Sequence, residues 1–252
     1  MRLDNKNVIL TGAASGIGRA LLDQFSGFSV RVMTADCDAA GLGEARAEGR
    51  AQIFPHPCDL CLPGAVDGLF EHALQAMGGV DLFIANAGFA YYEKLEQPDW
   101  QHIQRIFEVN VFSPIYALQK MRALNPNQSF KVVVTASAMS HLGVPGYALY
   151  SATKASLHRF AETYRFELED PRSLALVYPI ATRTAFFGSS PRAWPSQSAE
   201  QVARAMIRGI QRDQLEIYPS AVFRLFMYLP FLHRLEQTIE ARRLRKWLEN
   251  GL

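Results

Sequence analysis

The feature that most limits how this chain can fold is a set of short runs that are apolar with no polar alternation. Leu82-Phe83-Ile84-Ala85 and Val132-Val133-Val134-Thr135-Ala136 are the clearest cases. A strand wetted on one face alternates apolar and polar residues; a strand covered on both faces has no such need. Strand candidates fall at Val8–Thr11, Ser29–Ala35, Ala51–Pro55, Asp81–Ala85, Lys131–Ala136, Ser173–Tyr178 and Leu215–Tyr218. Helical periodicity fills the intervals at Gly16–Ser26, Ala65–Met77, Pro98–Leu124, Tyr150–Glu169 and Ala199–Arg212. That alternation predicts βαβ units, hence a mostly parallel seven-stranded sheet with helices on both faces. The 252 residues contain no internal repeat, low-complexity tract or linker. A single doubly wound, Rossmann-type α/β domain over residues 1–252 follows, with its ligand crevice at the carboxyl ends of the strands.

Composition adds a few exclusions. Apolar residues make up 49% and charged residues 20% of the chain, which is enough to build a large core. A net charge of +2 carries no electrostatic signature of nucleic-acid binding, and no nucleic-acid partner is expected. The N-terminus lacks an apolar leader, and Cys37, Cys58 and Cys61 form a small, odd set. Both features fit a reducing, cytoplasmic setting. No run approaches the ~18 apolar residues of a membrane span. Cys58 and Cys61, with His56 nearby, look like half of a metal site; no second pair exists, so no metal is expected. His72 and His102 read as ordinary surface or core residues.

The first strand runs directly into Thr11-Gly12-Ala13-Ala14-Ser15-Gly16-Ile17-Gly18, after which a helix begins. Glycines permit a tight turn and close approach of backbone to a pyrophosphate, which then meets free N–H groups at a helix start. Asp36 ends the second strand, where a carboxylate can accept hydrogen bonds from ribose hydroxyls. It would repel a 2′-phosphate, and no Arg or Lys lies within Gly12–Gly18 or directly after Asp36. NAD is therefore expected rather than NADP. Farther along, Tyr150 and Lys154 stand four residues apart on one helix face. A neighbouring ammonium should lower the phenol's pKa from ~10 toward useful acid–base chemistry. Ser137 follows the strand Lys131–Ala136 at its crevice end, with Ser140 as the alternative hydroxyl. Asn110 sits inside a predicted helix, where Asn is a poor helix former.

Taken in order, these motifs resemble the short-chain dehydrogenase/reductase family over nearly the whole chain. Thr11–Gly18 is similar to its TGxxxGxG cofactor loop, and Asn86-Ala87-Gly88 to its NNAG element, with Ala85 departing at the first position. Asp59, followed by Leu60, falls where the family's third-strand Asp contacts adenine. Asn110, Ser137, Tyr150 and Lys154 fall at the spacing of its catalytic tetrad. The resemblance implies that Tyr150 exchanges a proton with the substrate oxygen and Ser137 polarises the carbonyl. It further implies that Lys154 binds the nicotinamide ribose and that Asn110 supports a relay water. The family's PGxVxT segment appears here as Pro179-Ile180-Ala181-Thr182-Arg183-Thr184. Ile180 and Thr182 depart from it, while the Thr182 backbone is expected at the carboxamide and Thr184 at a phosphate. Implied cofactor contacts are thus Gly12, Ala14, Ser15, Gly16, Ile17, Gly18, Asp36, Asp59, Leu60, Asn86, Ala87, Gly88, Tyr150, Lys154, Pro179, Thr182 and Thr184. A binding-only sensor or scaffold on the same fold would have no need of all four tetrad groups.

Substrate identity is carried by weaker signals. A segment at 185–200 is expected to shape the substrate pocket, with Phe186, Phe187 and Trp194 in it. Met139, His141, Leu142, Val144 and Tyr147 flank the same strand end. These favour an apolar alcohol or ketone. The stretch 220–252 reads as a helical extension in which apolar residues such as Val222 and Leu225 precede the basic run Arg242, Arg243, Arg245 and Lys246. Apolar surface beside cations suits an anionic membrane face, a neighbouring subunit or the pocket mouth. The resemblance also implies a homodimer or homotetramer formed through the helices bearing Asn110 and Tyr150.

Overall fold

A computed structural model describes residues 1–44, 49–184, 186, 195–226 and 230–249. Seven strands form one sheet: β1 (Asn7–Thr11), β2 (Arg31–Asp36), β3 (Gln52–Pro57), β4 (Leu82–Ala85), β5 (Lys131–Thr135), β6 (Leu174–Val177) and β9 (Glu216–Ile217). Their order is β3-β2-β1-β4-β5-β6-β9, and every pairing is parallel. The order reverses between β1 and β4, which opens a crevice beyond their carboxyl ends.

The unbroken apolarity of the strands has its cause in two cores. Ile9, Phe83, Val132 and Val134 face one, shared with α3 (Ala65–Met77), α5 (Ser113–Leu124) and α6 (Ala148–Tyr164). Val8, Leu10, Leu82, Ile84 and Val133 face the other, shared with α1 (Gly16–Phe25) and α7 (Ala199–Gln211). Successive residues thus bury into opposite layers, as the period of a strand demands.

The expected elements are present, with three differences. The single helix predicted over Pro98–Leu124 is α4 (Trp100–Phe107), a π-helical turn at Glu108–Phe112, then α5. The extra residue of a π turn re-aims the side chains it carries, and such turns gather at functional sites. The helix predicted at Tyr150–Glu169 begins at Ala148 and tightens into a 3₁₀ turn at Arg165–Glu167. Two short elements had no periodic signal: α2 (Ala39–Glu44), and the parallel pair β7 (Thr182–Arg183) with β8 (Gln197–Ser198). The C-terminal segment forms α8 (Ala221–Phe226) and α9 (Pro230–Glu249). No helix among the described residues is long and apolar enough to cross a membrane.

Candidate active site

A cleft of about 270 Å³ runs across the carboxyl ends of β1, β2, β4 and β5. Its floor is the turn between β1 and α1. Gly12 has φ +68°, and a Cβ there would lie 2.8 Å from Ala87 Cα. Gly16 has φ +53°, and its Cβ would meet Thr184 Cγ2 at 3.1 Å. A Cβ on Gly18 would sit 1.8 Å from the Gly12 carbonyl oxygen. Gly12 therefore lets the Asn86-Ala87 segment approach the turn, Gly16 lets Thr184 do so, and Gly18 packs beneath the Gly12 carbonyl. Ser15 starts α1 without a side-chain cap, and the first turn holds no acidic residue, so its N–H groups suit an anion.

The Asn86-Ala87-Gly88 segment is fastened to this turn. Thr11 Oγ1 accepts from Asn86 N at 3.1 Å and Ala87 N at 3.0 Å. Asn86 Nδ2 donates to the carbonyls of Thr11 and Gly12 at 3.3 and 3.2 Å. Asn86 Oδ1 accepts from Thr135 Oγ1 at 3.2 Å, which ties in the end of β5. Beside the turn, Asp36 accepts from Ala14 N and Asp38 N, both at 3.0 Å, and keeps further lone pairs toward the cleft.

At the other end four buried polar groups converge. The π turn presents Asn110, whose Oδ1 accepts from Phe89 N at 3.1 Å. Its Nδ2 donates to Phe89 O at 3.0 Å and to Thr153 Oγ1 at 3.1 Å, joining the Gly88 loop to α6. Ser137 N-caps a 3₁₀ turn, with its hydroxyl accepting from Met139 N at 3.1 Å. Ser140 completes that capping box by accepting from Ser137 N at 3.3 Å. Ser137 lines the cleft and hydrogen-bonds Tyr150; Ser140 braces it from behind. Lys154 Nζ donates to Thr135 O at 2.8 Å and lies 5.6 Å from the Tyr150 ring centroid.

Electrostatics correct one expectation. The phenol of Tyr150 lies above its ordinary range instead of below it. Burial is the largest cause, opposed by the Ser137 hydrogen bond and reinforced by Tyr147. Burial also lowers the Lys154 ammonium to about 7. Both charged forms are penalised in this dry end, and desolvation outweighs the attraction that spacing alone foretold.

The other expected residues separate into cleft and surroundings. Gly12, Ser15, Gly16, Ile17, Asp36, Asp59, Leu60, Asn86, Ala87, Gly88, Pro179, Thr182, Thr184 and Phe186 line the cleft with Ser137, Tyr150 and Lys154. Ala14 and Gly18 stand behind it, Ala14 with its amide given to Asp36. Asn110 acts from the second layer: a Cβ on Gly88 would meet its Oδ1 at 3.0 Å and Lys154 Nζ at 3.6 Å. Met139 and Tyr147 belong to an apolar cluster around Tyr150, while the Phe186 ring is 5.7 Å from the phenol ring. His141 turns away into an aromatic group, 4.4 Å from His158 and 4.6 Å from Tyr178. Phe187 and Trp194 lie outside the described residues. Ile180, where the family has glycine, lines the cleft while its carbonyl accepts from Thr182 Oγ1 at 2.9 Å. Cys58 and Cys61 line the cleft near Asp36 as thiols, both pushed up to about 11 by burial, with Asp59 adding to the effect. Among the described residues no cluster of three metal-ligating side chains exists. Sequence reasoning missed Thr135, Thr153 and Arg105; the two threonines brace Asn86 and Asn110 across long chain separations, which leave no spacing signal.

Trp247 and Leu244 bring α9 against the rim of this apolar cluster. The Trp247 ring lies 4.8 Å from Tyr92, which is 4.9 Å from Tyr147. A Cβ on Gly146 would meet Leu244 Cδ1 at 3.1 Å.

Comparisons with known proteins agree with this geometry. Residues 6–193 match the family model described as short chain dehydrogenase. The chain is 31% identical over 235 residues to Short chain dehydrogenase helC of Aspergillus fumigatus, covering 86% of this chain and 88% of that protein. It is 31% identical over 176 residues to Dehydrogenase/reductase SDR family member 7B of Bos taurus, 66% of this chain but only 54% of that one. A short chain dehydrogenase/reductase from Burkholderia phymatum, solved in complex with NAD, shares the fold with a TM-score of 0.81 at 23% identity, covering 91% and 94% of the two chains. A short-chain dehydrogenase from Sphingobium yanoikuyae, solved in complex with NADPH, does so with a TM-score of 0.77 at 20% identity, covering 98% and 96%. Motif order, site geometry and these matches together place the chain in the short-chain dehydrogenase/reductase family of oxidoreductases.

Proposed function

We propose that this protein is an NAD-dependent oxidoreductase that interconverts a secondary alcohol and a ketone on an apolar small molecule, with Tyr150 as general acid/base. The observation that carries the reading is the cleft itself. A glycine cradle and a carboxylate, Asp36, stand at one end, and a buried Tyr-Lys-Ser group stands at the other. The cradle fits a dinucleotide because Gly12, Ser15 and Gly16 line the cleft at the start of α1, whose first N–H groups have no side-chain cap. When bound, the dinucleotide supplies the hydride donor or acceptor.

The residues of this chain supply the proton chemistry. Burial keeps the Tyr150 phenol protonated, so it is ready to donate to an oxygen that becomes an alkoxide. Ser137 shares a hydrogen bond with the phenol and would hold the same oxygen. Lys154, lowered to about 7, sits near the threshold between charged and neutral and can return a proton toward Tyr150. Asn110 fixes the Gly88 loop to α6 and would order a water leading to solvent. Phe89, Phe186 and Ile180 give the substrate side an apolar lining. In alcohol oxidation the steps run in reverse: Tyr150 first passes its proton toward neutral Lys154 and solvent, and the resulting phenolate accepts the proton of the alcohol.

Purified protein with NAD(H) or NADP(H) and a panel of apolar alcohols and ketones should change absorbance at the nicotinamide band. Tyr150→Phe should abolish that change and keep NADH binding. Retention of most activity by this variant would sink the assignment of Tyr150. Cofactor binding without turnover on any substrate would favour a sensor or scaffold instead. The exposed residues Phe112, at the end of the π turn, and Tyr116 of α5 support a homo-oligomer through that face, which Phe112→Asp should weaken in sedimentation velocity.

One observation favours a further placement at membrane surfaces. Val222 is 71% and Leu225 66% exposed on either side of Arg224, and α9 exposes Arg242, Arg245 and Lys246. Apolar and cationic surface together suit anionic lipid. Co-sedimentation with phosphatidylserine vesicles, lost in Val222→Asp/Leu225→Asp, is the expected result; equal recovery with and without vesicles would exclude it.

A further inference from the structure

We propose that Arg105 is a cofactor-binding residue whose guanidinium lies over the adenine at the rim of the cleft. This rests on the reading of the cleft as a dinucleotide site. Arg105 is in the last turn of α4, and Val109 follows four residues later in the π turn, so both present to one side. Both line the cleft, facing the turn Cys58-Asp59-Leu60-Cys61. Val109 and Leu60 give the slot between them apolar walls, which suits a flat heteroaromatic base.

The position of Arg105 picks the base over the ribose. Its electrostatic neighbours are Cys61 first, then Asp59 and Tyr91. The ribose side of the slot is marked instead by Asp36, which accepts from Ala14 N and Asp38 N. Cys61 is in turn held by the Asp59 carboxylate, which accepts from Cys61 N at 2.9 Å. A guanidinium at the rim offers a planar face for stacking, which an ammonium cannot. Arg105 and Lys154 are the cleft's two cationic side chains among the described residues, and Lys154 is at the opposite end.

Binding titrations test this without turnover. Wild type, Arg105→Ala and Arg105→Lys are titrated with NADH, ADP-ribose, 2′-phospho-ADP-ribose and reduced nicotinamide mononucleotide, by calorimetry or protein fluorescence. Arg105→Ala should weaken NADH and ADP-ribose alike, by roughly fivefold to twentyfold. It should leave the mononucleotide unchanged, and Arg105→Lys should recover little of the loss. ADP-ribose binding within twofold of wild type would overturn the proposal. A loss confined to the 2′-phosphorylated ligand would overturn it too, by assigning Arg105 to a phosphate. If wild type binds none of the four, the dinucleotide reading fails and this inference falls with it.

Discussion

At the Tyr150 end of the cleft the functional side chains are buried, with Asn110 1%, Lys154 4%, Tyr150 5% and Ser137 7% exposed. At the opposite end Cys37 and Arg105 are exposed, and Asp36 and Asp59 are half-buried on turns and strand ends. The buried end is held by hydrogen bonds to main chain at Thr135, Phe89 and Met139. Burial there shifts both titrating groups toward neutrality, so acid–base chemistry is set by desolvation. At the wet end the Asp36 and Asp59 side chains line the cleft where water still reaches them. On the proposed reading, proton chemistry falls where water is excluded and cofactor choice where polar groups remain exposed.

The sharpest way to break that contrast is at Tyr150. Tyr150→Phe should lower turnover by about 10²–10⁴-fold while NADH affinity stays within about twofold. A parallel fall in affinity would mean that the two ends are not separable. The glycine turn joining them tolerates almost nothing. Gly18→Ala puts a methyl 1.8 Å from the Gly12 carbonyl, and should cost about 3 kcal/mol in urea unfolding and most cofactor binding. Wild-type stability in this variant would show that the turn can yield. At the exposed end the effect should be smaller. Asp36→Ala should shift the ratio of NAD to NADP affinity toward NADP by on the order of tenfold, with kcat for NADH little changed. No change in that ratio would remove Asp36 as the selecting group.

The smallest expected effect reports the dryness of the buried end directly. Lys154 is lowered to about 7 in the folded protein against 10.5 in a free side chain. Between those values the unfolded chain holds a proton that the folded one has released, so stability rises with pH. Cofactor-free wild type should gain on the order of 1 kcal/mol between pH 7 and pH 8.5 relative to Lys154→Met. That is about 2–4 °C in Tm for a chain of this size. Below pH 7 the penalty is fully present in wild type. Parallel pH profiles for the two proteins would show that Lys154 stays hydrated.

Much of the fold was legible because a parallel sheet buried on both sides writes itself as unbroken apolar runs. Lys131–Ala136 and Asp81–Ala85 needed no partner to be recognised as strands. The glycine turn was legible for a related reason, since its spacing answers to backbone geometry within a few residues. Tyr150 and Lys154 could be paired because a helix repeats every 3.6 residues. The helix over Pro98–Leu124 was only partly legible. Its π turn is stabilised by Asn110 bonding to Phe89 and Thr153, partners that periodicity does not reveal.

By itself the sequence determined the layer architecture, the order of the motifs and the chemical types that meet in the cleft, because these follow from local periodicity and side-chain chemistry. Tertiary structure alone decided the protonation tendencies of Tyr150 and Lys154, the turning away of His141 and the arrival of Arg105 at the rim of the cleft. Those depend on how much water each group loses and on which distant segment lies beside it, and neither quantity is a function of spacing along the chain.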